Sequence, residues 1–429
     1  MGDLMRQFKK YKYLLYGMGI SNQSVKKFFD NYAFQYSVYE DSFGEYELDS
    51  IDIIIKSPGI FPNTQLLKEA KEKNKIVIND LEFFSWIYPK SKLLIITGTN
   101  GKTSTSKMVA AIVSKKYKCY LGGNIGIPLF DLKSKKNFKD EYVVVEASSF
   151  MLENCYSVHP NVLAILNVGE HHLDYHQSFE NYYNAKVKLK DNLKQDDLLI
   201  APNEEIFIKD FSNINSKKIY FDRTSTTNGL YIKDNKVYYK EEVIYLISSY
   251  PVFLKHQLKN IMVAASIGMY LNISVDRIRK ALEDISFENF RLQNIYKDDS
   301  TIILNDSKAT NFDAAHAALE SIITKEKEIH WILGGFGSEN IGRCLDIIEN
   351  VDFVYLVGDN KYRLKNELDK YNISSTVYKD LDEILSIIKK DENDKIILFS
   401  PAAQSYDQYQ NYIERGEHFN KLVNKYWHN

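Results

Sequence analysis

The sequence predicts an α/β chain of three domains, and three observations carry the prediction. Its 429 residues exceed what one hydrophobic core serves, since domains ordinarily run to roughly 100–200 residues. Short apolar runs alternate with amphipathic stretches of helical period, the signature of βα units and a mostly parallel sheet. That rhythm is interrupted near residues 215–250 by short strands and turn pairs, which reads as an antiparallel insertion.

The elements follow in order. Residues 1–91 form an N-terminal Rossmann-like domain, in which "YLLYG" precedes "QSVKKFFDNY" and "IDIIIKSPG" precedes "TQLLKEAKEK". Residues 92–291 form a central P-loop domain. There "KLLIITG" feeds the helix "SKMVAAIVSKK", and "EYVVVEA" and "LAILNV" supply further strands. The insertion, with turns at Asn228-Gly229 and Asp234-Asn235, comes next, followed by the helical "HQLKNIMVAASIGMYL" and "SVDRIRKALEDI". Residues 292–429 form a second Rossmann-like domain on the strands "TIILND", "EIHWILGG", "DFVYLVG" and "KIILFSP".

Composition narrows the function. A net charge of −2 with 26% charged residues gives no global basic field, so nucleic acid is not an expected partner and any anion site must be local. Cys119, Cys155 and Cys344 are far apart and show no C-x-x-C spacing, which argues against a zinc knuckle or a disulfide framework. No apolar run suits a secretory leader or approaches the ~18 residues of a membrane span. The expectation is a cytoplasmic enzyme without membrane attachment.

In "TGTNGKTS" a strand delivers Gly98, Thr99, Asn100 and Gly101 into a turn ahead of a helix that opens with Lys102, Thr103 and Ser104. Backbone N–H groups and the helix N-terminus favour an anion there, with Lys102 for the β and γ phosphates and Thr103 for Mg²⁺. The general loop wants a glycine where Ile96 stands, so this is a shorter G-x-x-G-K-T form. The plainer alternative is a glycine turn beside an exposed lysine.

Four further stretches carry chemistry. "GMGISNQS" resembles a dinucleotide fingerprint with Asn22 in place of the third glycine, and Glu40 and Asp41 follow at the ribose-acid distance. It reads either as a diphosphate seat at Ile20 and Ser21 or as a tight turn, and a dehydrogenase stays open. Glu146 ends an apolar strand, where open α/β sheets bind ligands, and suits a hard cation. His171, His172 and Asp174 form a polar turn after "LAIL", which by itself reads as solvent-exposed. Lys186 and Lys188, on the helix "SFENYYNAKVKLKDNL", read as a solvated face.

Taken together, these segments resemble the muramyl ligase (Mur ligase) family. The likeness runs through "GMGIS", "KSPGI", "DLEFF", "TGTNGKT", "GGNIGIP", "VEASSFMLE", "NVGEHHLDYH", "YYNAKVKL", "LNDSKATN", "LGGFG" and "SPAAQSYDQYQNYIERGEHF". The resemblance implies ATP-driven ligation of D-glutamate to UDP-N-acetylmuramoyl-L-alanine through an acyl phosphate, in peptidoglycan synthesis, by a monomer. It implies that Lys102 and Thr103 bind ATP and magnesium, that Glu146 and His172 hold two Mg²⁺ ions, and that Lys186 is carbamylated. Asn260 would contact adenine, Arg291 phosphate and Asp306 ribose. Ile20, Ser21, Asp41, Ser57, Gly59 and Asn124 would hold the nucleotide sugar, and Lys308, Thr310, Ser405 and Tyr412 the incoming amino acid.

Three positions depart from the family pattern. Ser338 stands where many relatives carry a lysine that pairs with a substrate carboxylate, His171 where an aspartate is common, and Gln257 where asparagine is usual. A ligase for another amino acid and a non-catalytic nucleotide-sugar binder therefore remain alternatives.

Overall fold

The computed structural model describes residues 2–40, 46–124, 126–169, 171–221, 230–233, 236–239, 242–246, 257–284, 290–323, 327–337 and 340–427. Asp41, the two insertion turns and Ser338 lie outside them. The chain divides into two compact units, Met1–Leu246 with Lys259–Ile285, and Ser286–Asn429 with Ile247–Leu258.

The first unit opens with strands β1 (Lys12–Tyr16), β2 (Gln35–Tyr39), β3 (Ile53–Lys56) and β4 (Ile76–Ile78), all parallel in the order β2-β1-β3-β4. Its larger sheet holds β5 (Lys92–Thr97), β6 (Cys119–Gly123), β7 (Tyr142–Glu146), β8 (Pro160–Ile165), β9 (Leu198–Pro202) and β10 (Lys217–Phe221). These run parallel in the order β10-β9-β8-β5-β7-β6. Leu94, Ile95 and Ile96 of β5 are fully buried, as expected for a parallel strand covered on both faces. An aromatic seam runs between the two sheets: Phe130 lies 4.8 Å from Phe28 and 5.5 Å from Phe83, ring centre to ring centre. That seam explains why the first two predicted domains fold as one compact unit.

The insertion is smaller than the sequence suggests. Strands β11 (Leu230–Lys233), β12 (Lys236–Tyr239) and β13 (Glu242–Leu246) form an antiparallel sheet. The "KKIYF" segment instead is β10, which pairs parallel with β9 at the edge of the larger sheet.

The second unit carries β14 (Gln293–Lys297), β15 (Thr301–Asn305), β16 (Glu328–Leu333), β17 (Phe353–Leu356), β18 (Thr376–Val377) and β19 (Lys395–Phe399). The order is β14-β15-β19-β16-β17-β18, with β14 antiparallel to β15 and the remaining pairs parallel. Strand β14 escapes sequence reading because "QNIYK" is polar and only half-buried.

Candidate functional site

In the larger sheet the chain leaves β5 for β6, returns through β7, and crosses to β8 on the other side of β5. The crevice at the carboxyl end of β5 is therefore a topological switch point, where open α/β sheets take ligands. The loop from Gly98 to Gly101 emerges there and leads directly into the helix Lys102–Ser114. Gly101 caps that helix at φ 84°, and a Cβ at this position would lie 2.7 Å from Asn260 Oδ1. Glycine thus lets Asn260, buried on the helix Gln257–Tyr270, close against the loop.

A neighbouring strand end fixes the loop's shape. Asn167 Oδ1 accepts from Asn100 N at 2.8 Å, Asn167 Nδ2 donates to Asn100 O at 3.1 Å, and Thr99 N donates to Asn167 O at 3.0 Å. Thr99 Oγ1 lies 3.0 Å from the Tyr182 hydroxyl and accepts from Gly169 N at 3.0 Å. Neither contact is legible in the sequence, because nothing local marks a residue that satisfies a loop some 67 to 83 positions away.

Lys102 Nζ donates to the carbonyls of Gly98 (2.9 Å) and Thr99 (2.8 Å), so the lysine folds over the loop it follows. Lys186 reaches the same place from the helix Phe179–Val187, its Nζ 2.8 Å from Gly98 O and 4.6 Å from the Tyr182 ring centre. It is 1% exposed, contrary to the solvated-face expectation. Burial, and then the charge of Lys102, lower its pKa well below the ordinary lysine value. Glu146 ends β7 in register with Ile96 and is 2% exposed, next to where β5 enters the loop. Thr103 is also buried.

His172 adopts a left-handed conformation (φ 54°) at the start of the helix Leu173–His176. Much of its surface is open. Even so, the groups packed around the ring, then the adjacent His171, bring its pKa down to about 3 and hold it neutral.

The first sheet brings its predicted loops together. Gly17 has φ 75°, and a Cβ there would meet Ile60 at 2.8 Å, so the turn after β1 presses onto the "SPGI" loop after β3. Asn22, the residue at odds with the dinucleotide fingerprint, is fully buried and donates to the carbonyls of Tyr16, Gly17 and Ile55 at 3.1, 2.8 and 3.0 Å. It welds β1 to β3. Ile20 is exposed at the helix start, Ser57 is buried, and Gly59 has open space around its Cα. Glu40 Oε1 accepts from Met18 N at 3.0 Å. Asp80, also missed, is buried, bonds Ser21, and has its pKa raised to about 6 by desolvation. Asn124 is exposed beyond β6, its N–H donating to Glu146 O at 2.8 Å.

In the second unit, three loops are tied by a residue that sequence reading passed over. Arg415 is 3% exposed; its Nε donates to Ser307 Oγ at 3.0 Å, Nη2 to Ser307 O at 2.7 Å, and Nη1 to the carbonyls of Ala403 (3.0 Å) and Gln404 (3.2 Å). Gln404 in turn exchanges backbone bonds with Phe336 of the "LGGFG" loop. Thr310 lines a cavity of ≈ 190 Å³ together with Phe336, Gly337, Asn360 and Gln404. Ser405 is buried, and Lys308 Nζ sits 5.5 Å from the Tyr412 ring centre. Asp306 is buried, with Ser400 Oγ on Oδ2 (2.8 Å) and Leu292 N on Oδ1 (3.1 Å). Desolvation raises its pKa to about 7 against the pull of Ser400 and of Arg291.

Residues 96–268 match the Mur ligase middle domain, and residues 290–403 match the Mur ligase glutamate ligase domain. The chain is 32% identical over 380 residues to the UDP-N-acetylmuramoylalanine–D-glutamate ligase of Staphylococcus epidermidis, covering 87% of this chain and 82% of that protein. It is 33% identical over 382 residues to the protein of the same name from a Hydrogenobaculum species, covering 88% and 89%. Among solved structures, MurF ligase from Thermotoga maritima in complex with ADP shares the fold at a TM-score of 0.61 and 14% identity, covering 99% of this chain and 100% of that one. A pseudomurein peptide ligase type C from Methanothermus fervidus does so at 0.60 and 16%, covering 97% and 99%.

Proposed function

The chain belongs to the Mur ligase family, and we infer from its D-glutamate ligase relatives that it joins D-glutamate to UDP-N-acetylmuramoyl-L-alanine, driven by ATP, in peptidoglycan precursor synthesis. The observation that carries this reading is the meeting of Lys102 and Lys186 on the Gly98 carbonyl, at the switch point beside Glu146.

The substrate carboxylate attacks the γ-phosphorus, ADP leaves, and an acyl phosphate forms. The amine of D-glutamate then adds to the acyl carbon, and phosphate departs from the tetrahedral intermediate. Catalysis of this kind rests on positioning and charge neutralisation. Lys102 swings from its own loop carbonyls to the β and γ phosphates, with Gly98, Thr99, Asn100, Gly101, Thr103 and Ser104 as the cradle. Asn260 sits on adenine, and Arg291 and Asp306 serve the nucleotide. Ile20, Ser21, Ser57, Gly59 and Asn124 hold the UDP-sugar. Lys308, Thr310, Ser405 and Tyr412 face the amino acid.

The Thr103 hydroxyl and Glu146 carboxylate are buried oxygen donors beside the loop, a set that fits magnesium. His172 adds a neutral nitrogen, which Mg²⁺ takes less readily than oxygen. Magnesium, when bound, neutralises phosphate charge. Lys186 fits a second ion as a carbamate, since an ammonium repels a cation. Its depressed pKa favours the neutral amine, which adds to CO₂ with release of one proton. A monomer is the proposed state, and the cytoplasm the proposed compartment.

Phosphate release from ATP and Mg²⁺, with UDP-N-acetylmuramoyl-L-alanine and a panel of amino acids, tests the reading. Turnover selective for D-glutamate is expected, and absence of ADP with every acceptor overturns it. A second reading, another amino acid in the same chemistry, is favoured by Ser338. The nearby cation Arg343 is already 3.5 Å from Asp313, which leaves it less free to replace the family lysine.

A further inference from the structure

We propose that Glu328, His330 and Asp391 form a binding site for a divalent cation of the zinc class, at the end of the second unit's sheet where β16 and β19 begin. Glu328 and His330 stand two residues apart on β16, so both side chains leave the same face. Asp391 lies in the turn after the helix Leu381–Ile388, just ahead of β19. Their ligand atoms all fall within 4.8 Å of one another.

The decisive group is His330. Its side chain is 1% exposed and its Nδ1 lies 2.9 Å from the Tyr355 hydroxyl, which fixes the ring. Nε2 is buried, makes no hydrogen bond, and points at both carboxylates, 3.6 Å from Glu328 Oε2 and 3.5 Å from Asp391 Oδ2. N–H···O bonds close at roughly 2.7–3.2 Å. Two ligands each about 2.0–2.2 Å from a tetrahedral zinc sit roughly 3.3–3.5 Å apart. The spacing is thus long for a hydrogen bond and suited to a shared ion.

Among the described residues, Lys395 and Asn393 also face the cluster. Lys395 Nζ is 3.4 Å from Asp391 Oδ2 and answers one carboxylate; Asn393 Nδ2 donates to Glu328 Oε1 at 3.1 Å, and Asn393 N to Asp391 Oδ1 at 3.0 Å. Two carboxylates against one ammonium leave a negative charge that a cation would meet. Glu328 and Asp391 keep 34% and 27% of their side chains exposed, which gives the ion an entry and a water its fourth position. The role would be to brace β16 against the turn that leads into β19.

The test uses the full chain, stripped by a chelator and desalted, then titrated with Zn²⁺ against a chromophoric chelator and separately with Co²⁺. The doubly isosteric variant Glu328→Gln/Asp391→Asn is compared, with its metal-free Tm and its ligase turnover establishing that it folds. The wild type is expected to bind one more equivalent of Zn²⁺, with at least about tenfold tighter retention at that site. It should also show the visible absorption of tetrahedral Co²⁺ and a Zn²⁺-dependent rise in Tm that the variant lacks. Equal stoichiometry and an equal Tm response in the two proteins would overturn the proposal.

Discussion

Lys102 and Lys186 share one acceptor: the carbonyl of Gly98 takes a hydrogen bond from each ammonium nitrogen, at 2.9 and 2.8 Å. Like charges drawn this close repel, and the more deeply buried of the two gives up its proton more readily. Among the described residues no carboxylate forms an ion pair with Lys186. Burial and the charge of Lys102 thus act in one direction on Lys186, lowering its pKa well below the ordinary lysine value.

Lys186→Met is expected to abolish turnover while sparing the fold. A lysine with a lowered folded pKa binds fewer protons folded than unfolded, from that lowered value up to the unfolded value near 10.5. Stability contributed by this group therefore rises with pH across that window and is poorest on the acid side. Removing the amine should flatten this slope. Urea midpoints between pH 6 and 9 in CO₂-depleted buffer measure it, and a variant that keeps the wild-type slope would contradict the depressed pKa. Lys186→Ala, with its smaller side chain, should regain partial activity with a short-chain carboxylic acid.

Lys102→Ala should cost at least about 10²–10³ in kcat, the scale of losing one charge-stabilising donor at a phosphoryl-transfer site. ADP production under saturating ATP reads it out. Unchanged kcat with only a raised KM would assign Lys102 to ground-state binding.

Asn167→Ala removes both side-chain bonds that clamp Asn100. At about 0.5–1.5 kcal/mol each, the loss should raise the KM for ATP by roughly tenfold, with little change in Tm. Asn167→Asp keeps the acceptor for Asn100 N and should fall between the two. An equal effect on the KM for the sugar nucleotide would show that Asn167 acts on more than the phosphate loop.

What the sequence disclosed follows from how local each signal is. The turn from Gly98 into the helix at Lys102, and the place of Glu146 at a strand end, are legible because strand, turn and helix signals lie within a few residues. Lys186 reads as a solvated lysine on its own helix, and its burial comes from packing against a loop 88 positions earlier. Asn167 and Arg415 carry no signal of their own, and Asn22 shows only as a departure from the fingerprint, for a related reason. Each satisfies backbone groups of segments brought near by the fold, and no spacing rule announces such a partner.

Arg415→Met tests that class of residue. The change removes four donated bonds, three of them to backbone carbonyls that stay buried or partly so. A destabilisation of about 3 kcal/mol is expected, since bonds from charged donors are worth roughly 1.5–3 kcal/mol each and not all are lost outright. Stability by urea unfolding, together with the KM for the amino acid, separates loop disorder from global loss. A variant of wild-type stability would mean that Ser307, Ala403 and Gln404 find other partners.

Ser338→Lys addresses the departure from the family pattern that bears directly on specificity. A hydroxyl cannot balance a substrate carboxylate, and Arg343 is engaged with Asp313 and 56% exposed at its side chain. Restoring an ammonium should add a charge-assisted contact of about 1.5–3 kcal/mol, or roughly one to two decades in apparent affinity for D-glutamate. The KM for D-glutamate, measured beside that for a neutral D-amino acid, isolates the charge. A fall confined to D-glutamate supports an uncompensated site. An unchanged value would mean that another cation already holds the carboxylate, and a fall for both substrates would point to loop ordering.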